Sequence, residues 1–218
     1  MSRVRLEGGL TIRGCFLVAS EFFLQGAVPN GLDFSGTKIS RLVANDIECN
    51  GAAIFGKLSQ TKEASGFFTS SEGITIENGV FKGLLSFEGA QFTGASEANA
   101  PDTKYPEISI NARSIRCENS VHLGSGFKAS GQVVLNDAHI TGNLQARGGL
   151  FEAYTSKNVR TTALSAKRAK IDGSVFFGDK ISPENIYEKK YEKSSFVSLG
   201  CVNPVSYTHL TLPTIYSV

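Results

Sequence analysis

The feature that most constrains the fold of this chain is a degenerate repeat built from alternating apolar residues. In each copy an apolar residue is followed three positions later by a small residue, and then, at every second position, by an apolar residue, a glycine and two more apolar residues. Residues 76–87, 135–146 and 166–177 are the clearest copies, and weaker ones extend back to Phe23. A fixed period of this kind is typical of a solenoid, in which consecutive repeats stack on one another.

The alternation within each copy predicts short β-strands, because every second side chain of a strand lies on the same face. The alternation breaks at the two residues before the small position, where we expect the chain to turn a corner. Two copies of about eleven residues share their end residues, so one coil has about 22 residues. The sequence therefore predicts an all-β parallel β-helix (β-solenoid) of about six coils.

The coils are longer than this ideal, and the extra residues are predicted at one corner. The pattern is interrupted at residues 60–73, 95–107, 154–163 and 182–195, in each case in the second half of a coil. Insertions in solenoids collect on one edge, often the binding edge. The first positions of successive coils are assigned as Phe23, Cys49, Ile76, Ile110, Leu135 and Ala166.

We expect one β-solenoid domain over residues 1–203, with a repeat core at 23–177 that is incomplete at both ends. Residues 205–218, VSYTHLTLPTIYSV, resemble a translated sequencing adapter, so 204–218 are expected to be non-native. The chain is then a truncated bacterial fragment. At its other end, either a capping element is missing or Met1 is an internal start.

Composition excludes several function classes. A net charge of +2 over 218 residues is too small to indicate nucleic acid as a partner, and no run approaches the roughly 20 apolar residues of a membrane span. Four widely spaced cysteines form no metal-binding pair, and Cys49 and Cys117 occupy apolar repeat positions. Buried free thiols in a reducing compartment are expected, which favours a cytoplasmic location and leaves peripheral membrane association open.

The residues capable of chemistry form no cluster, so we predict no catalytic, cofactor or metal site. His122 and His139 are expected to point outward, and the acidic residues are scattered where glycan-active β-helix enzymes need clustered carboxylates. The densest basic group is a candidate surface patch, although acidic residues follow it closely. It consists of Lys157, Arg160, Lys167, Arg168 and Lys170.

The half-unit at residues 135–146, LNDAHITGNLQA, resembles bacterial right-handed β-helix proteins near the pentapeptide-repeat group, some of which are labelled membrane-associated oxidoreductases. The resemblance implies the fold and its hand but no activity. Residues 138–151 also resemble bactofilins, which are polymer-forming β-helical cytoskeletal proteins. Three functions remain open: a scaffold that binds a protein or glycan through one-edge loops, a structural protein that associates end to end, and an enzyme whose site lies outside this chain.

Overall fold

A computed structural model describes residues 5–6, 8–17, 21–58, 66–93, 108–152, 162–177, 197–198 and 201–205. Over these residues the protein is all-β and has no helix, and its strands pair in parallel. One antiparallel bridge joins Lys57 to Phe67. The all-β class and the parallel pairing that the repeat predicts are therefore present.

Strands that pair do not follow one another in sequence but lie three or four strands apart, which arranges them in four rows. Hydrogen bonds from Glu48 N to Ala27 O and from Asn50 N to Pro29 O, both 2.9 Å, join β4 to β7 in row one. Row one contains β1 (Arg5–Leu6), β4 (Val28–Pro29), β7 (Glu48–Cys49), β10 (Val80–Phe81), β14 (Arg116–Cys117), β18 (His139–Ile140) and β22 (Lys170–Ile171). Row two contains β2 (Leu10–Thr11), β5 (Leu32–Asp33), β8 (Ala53–Ile54), β11 (Leu85–Ser86), β15 (Val121–His122), β19 (Leu144–Gln145) and β23 (Val175–Phe176).

Rows three and four share two long strands, β6 (Lys38–Val43) and β9 (Thr69–Thr75), which pass from one row to the next. Row three also contains the bridge residue Phe16, β12 (Gln91–Phe92), β16 (Lys128–Ala129), β20 (Leu150–Phe151) and β24 (Val197–Ser198). Row four also contains β3 (Glu21–Phe23), β13 (Ile108–Asn111), β17 (Gln132–Val134), β21 (Thr162–Lys167) and β25 (Cys201–Val205). The described strands therefore form seven successive units, each with one member in every row.

One hydrophobic core runs between the four rows. The apolar positions of the clear repeats are buried in it, including Ile76, Phe81 and Leu85. Large side chains stack from unit to unit: the Phe55 ring lies 5.5 Å from Phe34 and 5.2 Å from Phe87, nearly parallel to both. Each such side chain contributes about 1.5 to 3 kcal/mol when fully buried, so neighbouring units stabilise one another.

The corner between rows four and one is a tight turn at the position that the break in alternation predicts. Gly79 N donates to Ile76 O and Ala138 N donates to Leu135 O. The residue before the small position has a positive φ of 54 to 58°, which Asn and Asp adopt more readily than other non-glycine residues. The non-glycine residues at this position are Asp46, Asn78, Ser114, Asp137 and Arg168. The small position itself is less strict than predicted, because it is also occupied by Ile47 and Ile115.

The predicted register of the first coils is wrong. Phe23 is 61% exposed, and Leu24 packs against the core in its place. Cys49 pairs with Phe81 rather than with the first position Ile76. The neighbouring ladder aligns Leu24, Ala44, Ile76, Ala112, Leu135 and Ala166.

The predicted position of the insertions also changes. The connections between described strands differ in length on both sides of row three. Longer connections follow Leu58 and Phe177, at the corner from row two, and Phe16, Thr93 and Glu152, at the corner to row four. Length therefore varies at two adjacent corners rather than one. Parts of the predicted interruptions are core, since Phe68 and Ala163 are fully buried.

Candidate functional site

The predicted basic patch has most of its described charges paired. Arg168 donates from Nε to Asp137 Oδ1 at 2.6 Å and from Nη2 to Oδ2 at 2.7 Å. Lys170 Nζ lies 3.1 Å from Asp172 Oδ1, while Lys167 is exposed. Lys157 and Arg160 lie outside the described residues. The three described members do not form a surface of free positive charge.

The pairing of these charges shifts the pKa of the carboxyl groups. The hydrogen bond from Arg168 is the main cause that lowers the pKa of Asp137, and the same contact raises the pKa of Arg168. The hydrogen bond with His139, followed by that from Lys170, lowers the pKa of Asp172. The Asp137–Arg168 ion pair and the Asp172–His139 contact join one unit to the next, whereas Lys170 and Asp172 lie in the same unit.

The two predicted outward histidines each contact a carboxylate of a neighbouring unit. His139 Nε2 lies 2.8 Å from Asp172 Oδ2, and His122 Nδ1 lies 3.3 Å from Glu88 Oε1. A hydroxyl beside this second pair, Ser125 Oγ, donates to Glu88 Oε1 at 3.4 Å. Among the described residues, neither ring is hydrogen-bonded to a hydroxyl or thiol, as a nucleophile and base pair requires.

The cysteines of row one are buried free thiols. Cys49 Sγ lies 3.3 Å from Gly51 O, and Cys117 Sγ lies 3.6 Å from Ser120 O. Burial raises the pKa of both thiols, which opposes the thiolate form that metal binding and nucleophilic attack need. In the described part of the chain, no three His, Cys, Asp or Glu side chains are grouped to hold a metal ion.

Sequence reasoning missed the outward face of row three. Its aligned outward residues are Phe16, Lys38, Thr69, Gln91, Lys128 and Leu150. This set contains no acidic residue, and Phe16 is 72% exposed. The alignment crosses two interruptions of the repeat, so no signal in the sequence could have brought these residues together without the strand register.

The four corners differ in how strictly their length is kept. From row four to row one, a turn of constant length connects each pair of units, closed by bonds such as Ala27 N to Leu24 O and Ala169 N to Ala166 O. From row one to row two, the spacing is the same in five units from Cys49–Ala53 to Ile171–Val175. All large differences in length lie at the two corners beside row three.

No family model, curated protein or solved structure matches the chain. In the described part of the chain, no helix has the length and apolar character needed to span a bilayer. The outward face of row three, which includes Phe16, Lys38 and Lys128, is bordered by the two corners at which the chain varies in length.

Proposed function

We propose that the chain forms a four-sided, right-handed parallel β-helix. Three observations support this fold: seven units whose strands pair in parallel in four rows, one shared core, and stacked rings such as those of Phe34, Phe55 and Phe87. The hand follows from the strong preference for right-handed crossovers between parallel strands of one sheet. The resemblance of residues 135–146 to right-handed β-helix proteins points the same way.

We infer that this β-helix is a non-enzymatic scaffold or binding module, which holds a protein or glycan partner along the edge formed by row three and its two corners. The observation that carries the proposal is the confinement of length variation to those corners, while the other two corners keep their turns. Segments that vary in length on a rigid framework are where binding functions concentrate.

Exchange of the variable segments tests this function. In one unit the two residues Ser130 and Gly131 connect β16 of row three directly to β17 of row four. Replacing residues 94–107 by one glycine, and residues 153–162 by one glycine, would give two other units the same connection. Partners found by crosslinking and on glycan arrays should be lost from this variant and kept by a control variant, Lys82→Ala/Arg116→Ala on row one. Retention of every partner by the segment-exchanged protein, with its circular dichroism unchanged, would overturn the proposal.

A bactofilin-like structural protein is the second candidate, and one observation favours it. Inward apolar residues of the first and last units, such as Leu10, Ile12 and Phe177, are only partly buried, whereas those between them are fully buried. A second copy stacked on either end would bury them. Sedimentation velocity over a wide concentration range should then show ordered oligomers, and a strictly monomeric profile would exclude this function.

A further inference from the structure

Row three and its corner from row two carry exposed lysines. Lys38 and Lys57 are exposed and form no salt bridge with any described residue, and Lys128 lies 3.7 Å from Glu152. On row one Lys82 contacts Glu48 at 3.1 Å, while the exposed Arg116 forms no salt bridge with a described residue. Lys38 in row three and Lys57 at the corner from row two are therefore positive charges without a described carboxylate partner.

Exposed aromatic rings accompany these lysines. Phe16 begins the row and is 72% exposed, and Phe67, just before Thr69, is 39% exposed. Lys57 Nζ lies 5.8 Å from the centroid of the Phe67 ring. We define the lysine–phenylalanine face by these five side chains: Phe16, Lys38, Lys57, Phe67 and Lys128. Exposed apolar groups rimmed by polar side chains are typical of an interaction surface.

The spacing of the lysines limits the shape of a partner. Lys38, Thr69, Gln91 and Lys128 are aligned in four successive units. Neighbouring strands lie about 4.8 Å apart, so the two lysines are about 14 Å apart along the axis. An extended chain advances about 3.3 Å per residue, and about four of its residues span this distance.

We propose that the lysine–phenylalanine face binds an extended acidic protein segment, whose carboxylates recur about every four residues and whose apolar side chains contact Phe16 and Phe67. Charge complementarity identifies the partner, because Lys38 and Lys57 have no carboxylate partner among the described residues. The inference rests on the proposed binding function and names the chemistry of the partner at its edge.

A defined peptide tests this inference with the purified full chain. A fluorescein-labelled peptide with glutamate at every fourth position and leucine between should bind at low salt, as measured by fluorescence anisotropy. The triple variant Lys38→Glu/Lys57→Glu/Lys128→Glu should weaken binding about tenfold or more. The matched reversal Lys82→Glu/Arg116→Glu/Lys167→Glu, which lies on other faces, should leave affinity within about twofold. The first triple variant should instead bind a peptide in which lysine replaces each glutamate.

Three results would overturn the inference: no binding of the acidic peptide to the unmodified chain, equal loss in both triple variants, or binding to phosphatidylserine vesicles without binding to the peptide. The last would assign the face to a membrane surface. If the peptide test fails while segment exchange still removes partners, only the partner chemistry is wrong. If segment exchange removes nothing, the binding function itself fails.

Discussion

At the scale of single residues, several described glycines lie against the backbone of a neighbouring unit, among them Gly51 and Gly83 where row one turns into row two. A Cβ added at Gly83 would lie 2.5 Å from the Gly51 carbonyl carbon and 2.7 Å from Ala52 N, both backbone atoms of the preceding unit. Gly83→Ala must therefore push two units apart, and we expect a loss of about 1 to 3 kcal/mol in the free energy of unfolding. Urea unfolding followed by circular dichroism measures it. Gly8→Ala is the control, since no atom lies within 4 Å of its added Cβ; equal midpoints for the two variants would contradict the packing.

The thiols give a second prediction at this scale. Desolvation raises the pKa of Cys49 and Cys117, and both are fully buried, while Cys15 is exposed. In a Cys201→Ser background at pH 8, Cys15 should react with iodoacetamide at once, and Cys49 and Cys117 only at the rate of unfolding. Mass spectrometry of the labelled peptides identifies the sites. Modification of Cys49 as fast as Cys15 in the native protein would show that its burial is wrong.

At the scale of the elements, ion pairs on the outside tie each strand row together. Asp137 and Asp172 have a lowered pKa, chiefly because Arg168 and His139 hydrogen-bond to them. A carboxyl group with a lower pKa in the folded chain adds stability above its unfolded pKa of about 3.9, and this is lost as pH falls through the folded value. The free energy of unfolding at pH 7 should thus be higher for the wild type than for Asp137→Asn/Asp172→Asn. The difference between the two proteins should disappear as the pH falls below about 4.

Urea midpoints measured between pH 2 and 7 check this convergence. Glu118→Gln is the matched control, because the exposed Glu118 carboxylate forms no salt bridge with a described residue. Its difference from wild type should be smaller at pH 7. If the double variant remains equally destabilised at pH 3, the loss comes from packing or from the turn at Asp137, and the ion pairs contribute nothing measurable.

How far the sequence predicts these elements depends on whether their apolar residues occur on one face or both. In residues 135–146 polar residues separate the apolar ones, so the buried face is unambiguous, and Leu135, Ile140 and Leu144 are buried as predicted. In the runs EFFL and AAIF both faces are apolar. Shifting the register of such a strand by one residue still places apolar side chains in the core. Only pairing with the neighbouring strands decides that Leu24 rather than Phe23, and Phe55 rather than Ile54, faces the core.

The candidate surface was less predictable than the strands for a related reason. The sequence separates Lys38 from Lys128 by ninety positions and two interruptions, and their alignment depends on the ladder through Thr69 and Gln91. The predicted basic patch joined residues that are close in sequence, whereas Arg168 pairs across units with Asp137. Charge in this fold is neutralised between units, so closeness along the chain is a poor guide to a free charged surface.

At the scale of the whole molecule, units that repeat by translation should be removable one at a time. Asn111 pairs with Val134, so Leu135 occupies in one unit the place that Ala112 occupies in the unit before. Deleting residues 112–134 would join Asn111 to Leu135 and bring Phe81 beside Ile140, Leu85 beside Leu144 and Phe92 beside Phe151, all core positions of the same rows. We expect this shortened chain to fold cooperatively, with a lower stability because one interface between units is lost.

Deleting residues 112–122 is the matched control for this prediction. It places Leu123 after Asn111, so the strand Lys128–Ala129 would have to enter row one and every later strand would be displaced by two rows. This deletion removes fewer residues than the first one. We nevertheless expect no cooperative thermal transition by circular dichroism, because the turns, and the glycines that contact the backbone of a neighbouring unit, would no longer be aligned between units. Since the two deletions remove parts of the same segment, a difference between them reports the register of the stack and not the loss of core. If both fold equally well, or if only the shorter deletion folds, the units are not equivalent by translation and the four-row arrangement is wrong.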